Sequence, residues 1–276
     1  MAEIPRTYPQ GVTSWIDTAQ PDPEAASAFY GELFGWTFSN AMPDDAPGVY
    51  LIAQLDGKDA AAIGSGQGSA AWNTYIAVDD ADATAAAIAD AGGRVLEPPA
   101  DAGPGGRTAT CADPQGAEFR LWQARRRLGA QAVNWPGSWN FSDIRTTDVP
   151  AARDFYTGLF GWEYLDLGET VEGMIAVPGF GDHLAATADP DIRERQVGAP
   201  ERFEDVIGAM EPTEGDEPAH WRVKFSVAER EASLAVVRRL GGEVLRTDDQ
   251  VWALLADIRD PWGAEFTISE FREGGV

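Results

Sequence analysis

Cysteine is nearly missing from this chain, and Cys111 alone excludes an internal disulfide framework or a cluster of thiolates. On an apparent strand, a lone Cys reads as small core filling rather than as a nucleophile. Positive charge is also scarce: 21 Lys and Arg stand against 45 Asp and Glu, for a formal net charge of −24. That balance aids solubility, repels phosphate backbones and favours cationic partners over long range, so nucleic acid is not expected as a partner. The one basic run, Arg125-Arg126-Arg127, follows the last apparent strand of the first half and reads as a solvated linker. No apolar stretch approaches the roughly 18 residues of a membrane span. Met1-Ala2-Glu3-Ile4-Pro5-Arg6 has neither the basic nor the apolar region of a secretory signal, so a cytoplasmic protein is expected. Catalytic signatures are thin as well. There is no Gly-x-Ser-x-Gly elbow, and Gly64-Ser65-Gly66-Gln67-Gly68 lacks the lysine and helix of a phosphate cradle.

What the chain does have is a repeat. Phe29-Tyr30-Gly31-Glu32-Leu33-Phe34-Gly35-Trp36 returns as Phe155-Tyr156-Thr157-Gly158-Leu159-Phe160-Gly161-Trp162. Asp113-Pro114-Gln115-Gly116-Ala117-Glu118-Phe119 returns as Asp260-Pro261-Trp262-Gly263-Ala264-Glu265-Phe266. A period near half of 276 residues means two copies of one domain rather than a solenoid. The first motif recurs after 126 residues and the second after 147, so the second half is about 21 residues longer. The excess falls mostly between Gly181 and Asp205, a charged, proline-containing segment that reads as a solvated loop or, functionally, as a lid.

Each half reads as two β-α-β-β-β units. In the first unit an alternating stretch near Thr13–Thr18 leads to Asp22, which can cap a helix, and Pro23, which suits a first helical position. The helix runs through Phe34 with Ala26, Phe29, Tyr30 and Leu33 on one face, and Gly35 stops it. Strands follow around 36–39, 49–55 and 60–64. The second unit opens at Trp72, continues through an alanine-rich helix over Asp79–Ala91, and ends in strands near 94–96, 108–112 and 117–123. The second half repeats the series from Trp139, with helices from Val149 to Leu159 and up to Leu240.

Two independent motifs, in order, in both halves, make the chain resemble the vicinal oxygen chelate superfamily, and within it the tandem glyoxalase/bleomycin-resistance proteins. The resemblance covers residues 11–127 and 137–272, which are expected to be two domains, the second carrying the loop insertion near 181–205. It implies an α+β fold of four β-α-β-β-β units whose curved mixed sheets enclose cup-shaped cavities. Catalytic members hold a divalent metal with His or Glu from the first and last strands of paired units. Here the matching positions are Trp15 and Phe141, or Ser14 and Asn140 in the alternative register, with Asn73, Arg222, Arg120 and Thr267. The remaining positions, Ala61–Gly64 and Val206–Met210, contain no His, Asp or Glu. Guanidinium and aromatic groups put charge or bulk where a cation would sit, so no metal or other cofactor is expected. The two histidines, His183 and His220, fall outside the matched positions and read as structural.

By strand alternation, Trp15, Asp17, Asn73, Tyr75, Arg120, Trp122, Phe141, Asp143, Arg222 and Thr267 are expected to line the concave faces. Such aromatic walls suit a flat, partly apolar ligand. Most of the ten tryptophans, Trp36 and Trp162 among them, should pack in the core. Asp17 and Asp143 could act as general bases or pair with Arg120 and Arg222 as ion pairs. The expected function is metal-independent binding or sequestration of a hydrophobic, cationic aromatic natural product, such as an anthracycline, in its biosynthesis or in self-resistance. The competing reading is a metal-independent enzyme: a cyclase, an isomerase, an auxiliary hydroxylation protein or a glyoxalase-like lyase. A third, a regulatory protein without a small ligand, would have its cavities filled by side chains. The expected partners are the small ligand and a biosynthetic enzyme, with the chain a monomer or homodimer.

Overall fold

The computed structural model describes residues 4–43, 45–68, 70–165 and 173–272. The first half runs β1 (Thr13–Gln20), α1 (Pro23–Phe34), β2 (Thr37–Asn40), β3 (Tyr50–Leu55), β4 (Lys58–Ser65), then β5 (Ala71–Ala77), α2 (Ala81–Asp90), β6 (Arg94–Ala102), β7 (Gly106–Ala112) and β8 (Glu118–Ala124). The second runs β9 (Trp139–Thr146), α3 (Val149–Phe160), β10 (Glu163–Leu165), β11 (Met174–Ala176), α4 (Phe180–Ala186), α5 (Ile192–Arg195), a 3-10 turn (Phe203–Asp205) and β12 (Val206–Pro212). It closes on β13 (His220–Ser226), α6 (Arg230–Arg239), β14 (Glu243–Asp249), β15 (Ala253–Arg259) and β16 (Glu265–Phe271). The strands form two eight-stranded sheets, ordered β2-β3-β4-β1-β5-β8-β7-β6 and β10-β11-β12-β9-β13-β16-β15-β14. In each unit the first and last strands pair in parallel and the remainder form antiparallel hairpins, the arrangement that a helical crossover followed by a meander requires.

Local chemistry sets the helix ends as expected. Asp22 and Asp148 accept from the backbone N–H groups of Ala25 and Ala151, and Gly35 and Gly161 terminate α1 and α3 in the left-handed region. One detail differs: Leu33 is half-buried, and Phe34 joins Ala26, Phe29 and Tyr30 as the fourth buried residue of α1. Phe34 lies four residues beyond Tyr30, one turn along the same face. β6 is longer than expected and carries Pro98 and Pro99, which a strand at the end of its sheet order accepts because the missing N–H groups need no neighbour.

Packing groups the chain otherwise than the sheets do. One compact unit comprises Met1–Trp15, Thr74–Gly129 and Ser142–Trp221; the other comprises Ile16–Asn73, Ala130–Phe141 and Arg222–Val276. The first buries Ile76, Ile88, Phe119, Leu121, Tyr156 and Trp162, with α2 against α3. The second stacks Tyr30, Phe34, Trp36, Trp72, Phe225 and Phe266, with α1 against α6.

The repeated motifs meet inside these units. Tyr30 Oη donates to Asp260 Oδ2 at 2.7 Å, while Asp260 Oδ1 accepts from the backbone N–H groups of Trp262 and Ala264. In the other unit Tyr156 Oη donates to Asp113 Oδ2 at 3.2 Å, and Asp113 Oδ1 accepts from the N–H groups of Gln115, Gly116 and Ala117. Each tyrosine of one half therefore bonds the Asp-Pro-x-Gly turn of the other half. Trp36 and Trp162 are buried as expected, donating to the carbonyls of Gly137 and Gly11.

The segment 181–205 departs from the loop expected of it. It holds most of α4, all of α5 and the 3-10 turn, and Phe180, Leu184 and Ile192 are buried in the core of the first unit. The i, i+4 spacing of Phe180 and Leu184 gives α4 an apolar stripe. Gly181 donates to Asp205 at 2.8 Å, and its lack of a Cβ admits Glu204 beside it. Residues 166–172, which the expected strands also span, lie outside the described residues.

Candidate functional site

The side chains expected to bind ligand gather into groups, each within one compact unit. On β1, Asp17 is almost fully buried: its Oδ1 accepts from Asn73 Nδ2 at 2.8 Å and its Oδ2 from Tyr50 Oη at 3.0 Å. Both carboxylate oxygens are therefore hydrogen-bonded from side chains on two other strands. Strand alternation brought Asp17 and Asn73 to notice but missed Tyr50, which lies on β3, outside the strands matched to the ligand set.

In the same unit Arg222 donates to Glu265 at 3.0 Å and lies 4.0 Å from Asp257. Thr267 donates to Asp257 at 2.6 Å, Arg246 lies 3.5 Å from Asp257, and Arg259 bonds Glu265 at 2.8 Å. Arg222 and Thr267 are thus tied together through two carboxylates that the alternation argument overlooked, although Glu265 belongs to the repeated motif. The result is an ionic network in which Arg222, Arg246 and Arg259 share the carboxylates of Asp257 and Glu265.

The other unit carries an aromatic corner. Pairing of β5 with β8 sets Tyr75 opposite Arg120 and Ala77 opposite Trp122. Phe119 and Leu121 turn into the core, so Arg120 and Trp122 occupy the opposite face of β8 and are half-buried there. The Tyr75 and Trp122 rings meet edge to face at 6.2 Å and 87°. Arg120 donates to Tyr75 Oη at 3.0 Å, with its guanidinium carbon 5.5 Å from the ring centroid. Trp122 is fixed in turn: Nε1 donates to the Arg127 carbonyl at 2.9 Å, and the indole lies over Gly106, where a Cβ would come within 2.7 Å of Cζ2.

Three further candidates lie on β1 and β9. Asp143, buried on β9, accepts from the Ala209 N–H at 2.9 Å. Trp15 is buried on β1 and Phe141 half-buried on β9. His183 Nε2 lies 2.9 Å from Thr7 Oγ1, a contact between residues far apart in the chain, and His220 Nδ1 lies 2.9 Å from the Pro218 carbonyl two residues away. Burial pushes the Cys111 thiol up to about 11, which leaves it protonated and inert near neutrality.

The donor chemistry does not fit a catalytic divalent ion. Among the described residues, no group of three or more His, Cys, Asp or Glu side chains could hold one. The matched strand positions offer an indole, a phenyl ring, an amide, a hydroxyl and two guanidinium groups, and guanidinium has no lone pair to give a metal.

Fold and sequence define a class. Residues 14–121 match the model of the glyoxalase/bleomycin resistance protein/dioxygenase superfamily, and residues 141–269 match that of a glyoxalase-like domain. The chain belongs to this superfamily, as a member with two such domains in tandem. It is 33% identical, over 95% of each chain, to a protein of Mycobacterium tuberculosis named putative glyoxylase CFP32. It is equally 33% identical, over 97% of this chain and 96% of the other, to the anthracycline biosynthesis protein DnrV of Streptomyces peucetius. Among solved structures, the Mn(II)-bound glyoxalase of Novosphingobium aromaticivorans shares the fold with a TM-score of 0.59 at 15% identity, covering 95% of this chain and 83% of that one.

Proposed function

We propose that the chain is a metal-independent binding protein for a flat, hydrophobic, cationic aromatic natural product of the anthracycline kind, acting in the cytoplasm. The observation that carries this reading is the near full-length relationship to anthracycline biosynthesis proteins. Two physical features support it. The strand positions that would hold a metal carry guanidinium and aromatic groups, and the net charge of −24 draws cationic molecules by long-range attraction. Its contacts are drawn from the residues named by strand alternation, and its role is to hold free drug or relieve a biosynthetic enzyme of its product.

The test is titration of the protein with an amino-sugar anthracycline and with the neutral N-acetyl derivative, followed by chromatography of the recovered ligand. Saturable binding, weaker for the neutral derivative, with the ligand returned unchanged, is expected. Absence of saturable binding by either compound would overturn the reading.

One observation favours a second reading. Asp17, a buried carboxylate oriented by Tyr50 and Asn73, has the arrangement of a held general base, and a metal-independent enzyme of the same pathway class would use it. Conversion of the ligand during the titration would select this alternative.

A further inference from the structure

The two halves repeat in sequence but not at the corner where the first strand of the second unit pairs with its last strand. In the first half this corner is Tyr75, Arg120 and Trp122, in the register Tyr75 opposite Arg120 and Ala77 opposite Trp122. The same register in the second half sets Lys224 opposite Thr267 and Ser226 opposite Ser269. Lysine, threonine and serine therefore stand where the first half has tyrosine, arginine and tryptophan. The glycine under the indole differs too: Gly106 pairs with Ala124, whereas the second half pairs Ala253 with Phe271.

This difference changes what each corner can do. The first corner offers one half-buried aromatic surface, an indole held by a hydrogen bond, a glycine seat and the edge of the buried Tyr75 ring, beside a guanidinium fixed by that phenol. A planar ligand can stack on such a surface with little loss of side-chain entropy, because the rings are already ordered. A guanidinium presents planar donors that suit a ketone or phenolate oxygen on the edge of that plane. The second corner offers neither ring, and its Thr267 and Arg222 are engaged by Asp257 and Glu265.

We propose that the chain holds one aromatic ligand rather than two, at the Tyr75–Arg120–Trp122 corner of the first half, with Arg120 directed at the ligand's quinone or phenol oxygens. The proposal rests on the binding reading above and adds stoichiometry, location and the chemical class of the recognised edge, a hydroxyquinone. The second half's corner is structural.

The experiment titrates the full chain with 1,4-dihydroxyanthraquinone, reading tryptophan fluorescence for affinity and equilibrium dialysis for stoichiometry. The same titrations use Trp122→Leu, Arg120→Gln, Arg120→Lys and, from the second corner, Lys224→Gln, each first shown by circular dichroism to be folded. One equivalent is expected to bind, with Trp122→Leu weakening it about ten- to hundredfold, in the range for a buried aromatic anchor. Arg120→Gln is expected to weaken it about tenfold and to raise the pH at which the bound phenol ionises, read from its visible absorbance, with Arg120→Lys partly restoring both. Lys224→Gln is expected to change neither. If the probe binds but does so as two equivalents, or indifferently to Trp122→Leu and Arg120→Gln, the corner is refuted while the binding reading stands. If neither this probe nor the amino-sugar anthracycline binds the parent, both fall. Should Trp122→Leu fail to fold, Trp122→Phe, which keeps a ring but removes the Nε1 bond to the Arg127 carbonyl, is expected to weaken binding in the same direction by a smaller factor; should Arg120→Gln fail to fold, Arg120→Lys serves in its place.

Discussion

Replacing Tyr30 with Phe removes one oxygen from a buried polar network, and its cost can be worked from the bonds present. Tyr30 Oη donates to Asp260 at 2.7 Å and accepts from Trp72 Nε1 at 3.1 Å, and all three side chains are buried. Losing a bond to a charged acceptor costs about 1.5–3 kcal/mol, and leaving a buried indole N–H without a partner about 1–3 kcal/mol. Gln20 still donates to Asp260 at 2.8 Å, so the carboxylate is not stranded and the lower part of the combined range applies, about 2.5–4 kcal/mol. Tyr156→Phe should cost less, about 1–2 kcal/mol, because its bond is 3.2 Å long and Asp113 keeps three backbone donors. The assay is urea unfolding followed by circular dichroism and tryptophan fluorescence. Tyr30→Phe within about 0.5 kcal/mol of the parent, or less damaging than Tyr156→Phe, would refute the argument. The same pair predicts an alkaline limit. Burial first, then the adjacent aspartate, pushes both tyrosines well above their ordinary value of 10.0. Between that value and their raised folded ones the folded chain keeps protons the unfolded chain releases. Stability is therefore undiminished below pH 10 and falls above it, by about 1.4 kcal/mol per pH unit for each tyrosine, with a shallower fall in Tyr30→Phe.

Three further outcomes follow from the site. Because the donor set does not suit a divalent ion, EDTA should leave the melting temperature and ligand affinity unchanged; a drop of several degrees restored by Mn(II) or Zn(II) would contradict this. Association of an amino-sugar anthracycline should be faster at low than at high ionic strength, read by stopped-flow fluorescence, because the net charge of −24 attracts a cation through a screened field; a salt-independent rate would remove that role. Asp17→Asn should alter affinity modestly and leave the recovered ligand intact, whereas loss of about 10²–10⁴-fold in a measurable turnover would identify Asp17 as a general base and the protein as an enzyme.

Much of the fold was legible because its signals are local. Asp22, Pro23 and Gly35 mark the ends of a helix by backbone chemistry alone, and alternation along β8 separates Phe119 and Leu121 from Arg120 and Trp122. What the chain conceals is pairing. Phe-Tyr and Asp-Pro-x-Gly occur in both halves, so no spacing could show that Tyr30 bonds Asp260 and Tyr156 bonds Asp113. The helices around 180–205 were obscured by charge and proline, which interrupt the apolar signal of Phe180, Leu184 and Ile192. At the candidate site, alternation named Asp17 and Arg222 but could not supply Tyr50, Asp257 or Glu265, whose positions depend on which strands become neighbours.

The most direct test of the central claim is native mass spectrometry of the full chain incubated with an amino-sugar anthracycline, with and without Mn(II), Zn(II) and Ni(II). The account predicts one adduct of unaltered ligand mass, with the same occupancy whether or not a metal is added. An adduct that forms only with a stoichiometric metal ion, or a bound molecule of changed mass, would contradict it.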